Sequence, residues 1–193
     1  MSHIGGRGNG SARLTSMAFP YSSGDVLTAA DLNKSSGLVL VKSQTVGSAV
    51  SSVTVTDAFS STFDAYRIIY TGGTGTNDVP YRFRFDASHT VGYFYALTYS
   101  TYTGAGPVAI GGNNLGYINY SGGGLKPVVD MTVLDPYSAS STKEITTRCR
   151  YATVYGMTIG HVPISSSFTD FQIYTVSGTF TGGTIRVYGY NNG

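Results

Sequence analysis

From Leu38 onward, apolar and polar positions alternate with a period of two, the signature of strands that bury one face. Leu38-Val39-Leu40-Val41 is an apolar run, Val53-Thr54-Val55-Thr56 alternates cleanly, and Tyr66–Thr71 follows, ended by Gly72-Gly73. In Val79-Pro80-Tyr81-Arg82-Phe83-Arg84-Phe85 the aromatics face one way and the arginines the other. Pro80 has no amide hydrogen to give a ladder, so it belongs at the start of that strand or on an edge. Further runs are read at Val91–Tyr99, Leu115–Tyr120, Val128–Leu134, Glu144–Tyr155, Phe168–Val176 and Thr184–Tyr190, with a loop around Gly104-Ala105-Gly106-Pro107. Eight to ten strands separated by turn residues predict a sandwich or barrel.

The closing strand carries a sharper expectation. Ile185 and Val187 share one face, Arg186 and Tyr188 the other. So apolar a face predicts pairing inside a sheet, near Leu38–Lys42, where burying Ile185 contributes about 1.5–3 kcal/mol.

Residues 1–36 differ in kind. Gly5, Gly6, Gly8 and Gly10 fall within six positions, and glycine has the most backbone freedom to lose on ordering. Ile4, Leu14, Met17 and Phe19 are scattered without periodicity. Such an arm is expected to gain its order from a neighbouring subunit. One short helix is predicted within this unit, after the extended residues 1–23, with Thr28 as N-cap and Asp31 at the capping-box distance. Leu27 and Leu32 are placed to form a hydrophobic staple, and Ser35-Ser36-Gly37 ends the helix. The expected fold is therefore all-β: a jelly-roll-like antiparallel β-sandwich over 37–193, preceded by an extended N-terminal arm with one short helix over 1–36. Arg7, Arg13, Phe19, Leu27 and Leu32 are the candidate anchoring residues of that arm.

Composition sharpens this picture. Only 11% of the 193 residues are charged, while 13% are aromatic, with 16 Tyr, 9 Phe and no Trp. Ordinary soluble domains carry about 25% charge, so this chain is expected to hide much of its surface against partners. A net charge of +2 is too small to imply a polyanion partner, and no nucleic acid is expected. The single cysteine, Cys149, is expected to pack as a small buried hydrophobe. No signal-peptide pattern and no apolar run of about 18 residues is found, so membrane insertion is not expected. The expected place of action is the cytosol, or a particle assembled there.

Chemistry is sparse. His3, His89 and His161 are scattered, and no zinc or calcium pattern is present. Neither catalytic nor metal-ligating residues are assigned, and no cofactor is expected. Gly72-Gly73-Thr74-Gly75-Thr76 resembles a phosphate loop superficially but lacks its Lys-Ser/Thr ending, so it reads as a turn. Arg82, Arg84, Arg148 and Arg150 could form a basic stripe beside tyrosines suited to single-stranded nucleic acid, but the preferred reading is a solvated outer sheet face. Tyr93, Tyr95, Tyr99, Tyr102, Tyr117 and Tyr120 cluster in the middle third. Tyrosine combines an apolar face with a polar tip and suits interfaces. Tyr99, Tyr102, Tyr117 and Tyr120 are the candidate receptor or interface positions, with a host-surface glycan as a possible ligand for a subset.

Ser23-Gly24-Asp25-Val26-Leu27-Thr28-Ala29-Ala30-Asp31-Leu32-Asn33 resembles a segment of tail-fibre and minor tail proteins of tailed bacteriophages, where it follows a short attachment stretch. Gly37–Lys42, Val53–Phe63, Tyr66–Gly73 and Ser177–Tyr190 are similar to parts of β-sandwich modules of phage virion proteins. The resemblance implies a non-enzymatic virion structural protein made in the host cytoplasm. It implies a homotrimer that contacts other virion proteins through residues 1–36. Two positions follow from it: a short tail-fibre or minor tail adhesin, or a head decoration protein stabilising the capsid. A polysaccharide-degrading tailspike is a third, weaker implication, because such domains are usually much longer. The chain also lacks the coiled coil and fibrous repeat of long fibres.

Overall fold

The computed structural model describes Val26, Thr28 and residues 37–104, 106–119 and 122–191. Within them every strand pairing is antiparallel and no helix occurs. The strands are β1 (Leu38–Thr45), β2 (Ser52–Val55), β3 (Ala65–Thr71), β4 (Thr74–Gly75), β5 (Tyr81–Phe85), β6 (Tyr93–Thr101) and β7 (Val108–Leu115). They continue with β8 (Val129–Leu134), β9 (Lys143–Tyr151), β10 (Val154–Val162), β11 (Phe171–Thr175), β12 (Phe180–Thr181) and β13 (Thr184–Tyr190). The helix expected over Thr28–Ser36 lies outside the described residues apart from Thr28.

The larger sheet has the order β1-β13-β3-β8-β9-β10-β6-β7, and the smaller one β2-β11-β5. Ile118 bridges Phe83 and adds a fourth segment beside β5. Together, β1-β13-β3-β8 and β2-β11-β5-Ile118 form an eight-segment, two-sheet winding in which β1, β2, β3 and β5 alternate between sheets. That is the jelly-roll topology. The hairpin β6–β7 is inserted between β5 and Ile118, and the hairpin β9–β10 between β8 and β11. Both extend the larger sheet past its jelly-roll half. β4 and β12 make a separate two-stranded piece.

The core follows from the alternation. Tyr66, Ile68 and Tyr70 on β3, Tyr81, Phe83 and Phe85 on β5, and Ile185 and Val187 on β13 are buried. They pack in one cluster with Phe59, Phe168, Phe171 and Phe180. Ring pairs fill the space between sheets: Phe85 stacks on Phe168 at 4.6 Å and Phe83 on Phe171 at 5.7 Å, while Phe59 meets Tyr66 edge-on at 4.9 Å. Such pairs add about 0.5–1.5 kcal/mol beyond their buried area. Buried tyrosines also tie loops and a strand end to the core through their hydroxyls. The Tyr66 hydroxyl donates to Ser60 O (2.9 Å), that of Tyr70 to Gly182 O (2.8 Å) and that of Tyr93 to Phe85 O (3.2 Å). Burial raises the Tyr70 pKa to about 12, and it raises those of Tyr81 and Tyr93 as well.

β13 lies between β1 and β3, with Tyr188 opposite Leu40, so the expected placement of the closing strand holds. Pro80 immediately precedes β5. Cys149 is buried, and burial raises its pKa to about 12. Glu144–Tyr155, read as one strand, is instead the end of one hairpin arm, its turn and the start of the next. Val154 pairs with Tyr151, leaving Ala152-Thr153 as a two-residue turn. Ala152 has φ of 46°, a conformation normally given to Gly or Asn. Its amide is held by Asp78 Oδ1 at 2.8 Å, from a loop far away in sequence. Val108–Leu115 is a strand that the sequence reading did not indicate; it follows directly on the loop expected around Gly104-Ala105-Gly106-Pro107. Of Leu115–Tyr120, Leu115 ends β7 opposite Tyr93 and Ile118 makes an isolated bridge to Phe83, so no separate strand forms among its described residues. Gly72 (φ 81°) turns the chain out of β3 into β4, and no phosphate-loop helix follows.

Lys143 is fully buried at the start of β9. Its ammonium donates to Ser138 O, to Ser141 O (2.6 Å) and to Ile164 O (2.9 Å). Burial lowers its pKa, but three carbonyls match its three N–H donors and keep the cation satisfied. The lysine thereby clamps the β8–β9 loop to the segment after β10.

Candidate functional site

The smaller sheet turns Tyr81, Phe83, Phe85, Phe171 and Ile173 inward. Alternation must then send Arg82 and Arg84 of β5, Gln172 and Tyr174 of β11, and Ser52 and Thr54 of β2 to its outer face. Register aligns Tyr174 with Arg82 and Gln172 with Arg84. Tyr117, next to the Ile118 bridge, closes the row.

On this face each arginine lies over a tyrosine ring. The Arg82 guanidinium carbon sits 3.9 Å from the Tyr117 centroid, and that of Arg84 sits 5.0 Å from the Tyr174 centroid. The two tyrosines meet edge-on at 6.4 Å. Arg84 Nε also donates to Gln172 Oε1 at 2.9 Å, and Gln172 Nε2 donates to Thr54 Oγ1 at 3.2 Å. Arg82 Nε is buried with no hydrogen-bond partner. Burial raises the Tyr174 pKa, and the positive charges of Arg84 and Arg82 oppose that shift. Stacking of this kind contributes about 0.5–1 kcal/mol per pair at exposed sites. It also holds long side chains in fixed poses, so less rotamer freedom remains to be lost when a ligand binds. The positions Ser52, Thr54, Arg82, Arg84, Tyr117, Gln172 and Tyr174 include no carboxylate. Chemically, the face offers two fixed cations, aromatic edges and an amide, a combination suited to planar, polar or anionic ligands.

The tyrosine candidates do not form one patch. Tyr117 belongs to this face. Tyr99 packs inward on a small cluster of Leu97, Cys149 and Val154 in the hairpin extension. Tyr102 is 69% exposed beyond β6, with its ring 5.9 Å from Tyr155. Tyr120, Arg7, Arg13, Phe19, Leu27 and Leu32 lie outside the described residues. The four arginines of the basic stripe are likewise divided, because Arg148 and Arg150 point outward from β9 on the opposite side of the sandwich. Sequence reading passed over Tyr174 and Gln172. Their signal was their place in Phe171-Gln172-Ile173-Tyr174, but choosing them required knowing that β11 pairs with β5.

Elsewhere, Asp130 on the larger sheet's outer face takes a two-point contact from Arg67 (3.0 and 3.2 Å) and a third from Arg148 (3.4 Å). Among the described residues, no group of three His, Cys, Asp or Glu side chains comes together. His89 is wedged between Tyr93 and Phe168, and His161 stacks on Phe94 at 5.2 Å. No family model, curated protein or solved structure matches the chain.

Proposed function

We propose that the chain is a non-enzymatic structural protein of a tailed-bacteriophage particle, an adhesin-type short tail-fibre or minor tail protein held to the particle by residues 1–36. The observation that carries this reading is the interlocked row of Arg82, Tyr117, Arg84 and Tyr174. It is a preorganised recognition surface on a rigid sandwich, of the kind that meets a host-surface glycan without further ordering. The run Ser23–Asn33 supports attachment through residues 1–36, since it resembles the attachment-proximal segment of tail-fibre proteins. The same resemblance supports a homotrimer. A head decoration protein is the second reading, favoured by Leu40, Met157 and Ile159 standing exposed on the larger sheet, where apolar side chains suit contact with other subunits.

Electron microscopy of particles labelled with an antibody to the chain tests both readings. Label at the tail tip supports the adhesin and label on the head supports decoration. Particles devoid of label would defeat both. Fluorescent full-length protein should bind host cells, and Arg82→Gln/Arg84→Gln should reduce that binding at least tenfold while leaving the circular dichroism spectrum unchanged.

A further inference from the structure

The outer face of the hairpin extension can be laid out from its registers. Along β10, Tyr155, Met157, Ile159 and His161 point outward, at 48%, 49%, 57% and substantial exposure respectively. Across to β9 they align with Arg150, Arg148, Thr146 and Glu144. Across to β6 they align with Ser100, Thr98, Ala96 and Phe94. Four rows of three side chains result, successive rows being about 6.6–6.8 Å apart. An apolar stripe runs down the middle column, and charge is divided along the β9 column, negative at one end and positive at the other. Glu144 makes no ion pair among the described residues.

This grid is complementary to itself under one rotation. Turning a second copy by 180° about an axis lying across the strands places its first row on the fourth and its second on the third. Glu144 then meets Arg150, Met157 meets Ile159, Tyr155 meets His161, and Ala96 meets Thr98. A two-fold axis along the strands would instead set Glu144 and Arg150 against Phe94 and Ser100, leaving both charges opposite uncharged groups. We propose that the outer face of β9, β10 and β6 pairs with the same face of a second copy about a two-fold axis running across the strands.

Three observations join here. The apolar stripe is exposed, the charges complement one another at opposite ends, and the face is indented where a partner side chain is called for. That indentation, a groove of about 850 Å³, is lined by Phe94, Glu144, Ile159, His161 and Pro163, among others. The rotation brings the second copy's Tyr155 over it. Face-to-face sheets pack about 10 Å apart, a spacing that Met, Ile and Tyr side chains fill. The contact is isologous, the commonest kind in soluble oligomers. It does not rest on the adhesin reading, although it covers the Met157 and Ile159 that favour the decoration reading, and it adds a two-fold contact to the three-fold assembly implied by resemblance, making a dimer or a pair of trimers.

Light scattering after size exclusion of the full chain tests the proposal. The expected mass is an even multiple of the chain, falling to half in Met157→Asp/Ile159→Asp. Glu144→Arg and Arg150→Glu should each weaken pairing at least tenfold, and the double variant Glu144→Arg/Arg150→Glu should restore it. Restoration within a single chain is a property of this two-fold pairing and not of general surface charge. Native-like circular dichroism is required of each variant; if the aspartate variant fails to fold, the charge-reversal set decides. A wild-type monomer or trimer overturns the proposal, as does a double charge reversal whose defects add. Host-cell binding by a wild-type protein that does not pair would leave the adhesin reading standing while removing this one.

Discussion

The larger sheet is one hydrogen-bonded surface made of two unlike halves. Its β1-β13-β3-β8 half is backed by the smaller sheet, with Tyr66, Tyr70, Ile68, Ile185 and Val187 driven into a single aromatic core. Among the described residues, much of its β9-β10-β6-β7 half is backed by a satellite group of Leu97, Cys149 and Val154, with Tyr99, Ile110 and Tyr151 packed against it. The same half exposes Met157 and Ile159 in front. Identical strand geometry therefore serves different ends. Where a second layer exists, alternation builds stability inside the chain. Where it is thin, apolar side chains are left for contact with something else.

The sharpest way to break this contrast is Ile185→Asp. An unpaired carboxylate at a fully buried position costs more than about 4 kcal/mol, a large part of the stability of an ordinary domain. No native-like protein should be recovered; a soluble variant with a wild-type spectrum would misplace β13 in the core. Next is a matched pair of truncations followed by urea unfolding. Phe83→Ala, in the jelly-roll core, should cost about 3–5 kcal/mol, and Leu97→Ala, in the extension, about 2 kcal/mol. Equal losses would mean that the two halves are equally well backed.

A third measurement uses pH. Tyr70, Tyr81 and Tyr93 are buried in the main core with pKa values raised above the ordinary 10, that of Tyr70 to about 12. The unfolded chain thus releases these protons first as pH rises. Their contribution is complete below pH 10; that of Tyr70 disappears as pH climbs through about 12, and those of Tyr81 and Tyr93 are lost at still higher pH. Tyr70 alone accounts for roughly 2–3 kcal/mol of that loss. The urea midpoint should be flat from pH 7 to 9 and fall steeply above 10; a flat profile to pH 12 would place these hydroxyls in water. The smallest effect is kinetic. Cys149, buried in the extension with its pKa raised to about 12, should react with a thiol reagent at pH 8 only as fast as the extension opens. Labelling faster than global unfolding would measure how much looser that half is.

Strict alternation made much of the body legible. Tyr81-Arg82-Phe83-Arg84-Phe85 announced both its buried and its exposed face, and Ile185/Val187 announced the closing strand. The hairpin turn at Ala152-Thr153 was not legible, because neither residue is a usual left-handed one. The conformation depends on Asp78 Oδ1 reaching the Ala152 amide from 74 residues away, which no local pattern encodes. β7 was hidden for a related reason. Gly111, Gly112, Asn113 and Asn114 have poor strand propensity, and the pairing of Gly111 and Gly112 with Ala96 and Tyr95 of β6 overrides it. The candidate site was half visible: the arginines and Tyr117 stood out by type, whereas Tyr174 and Gln172 join them only through the pairing of β11 with β5.

The adjacency of β1 and β13 has a consequence for biosynthesis. Leu38 aligns with Tyr190, so strands from opposite ends of the described body must meet before the jelly-roll half can close. Its order has to wait on translation, and the slow search expected of non-local pairings follows after the ribosome has finished that strand. The hairpins β6–β7 and β9–β10 have no such delay and can zip while synthesis continues. Newly made chains therefore pass through an interval in which adhesive edges are bared, and crowded neighbours of the same kind are the first strangers they meet.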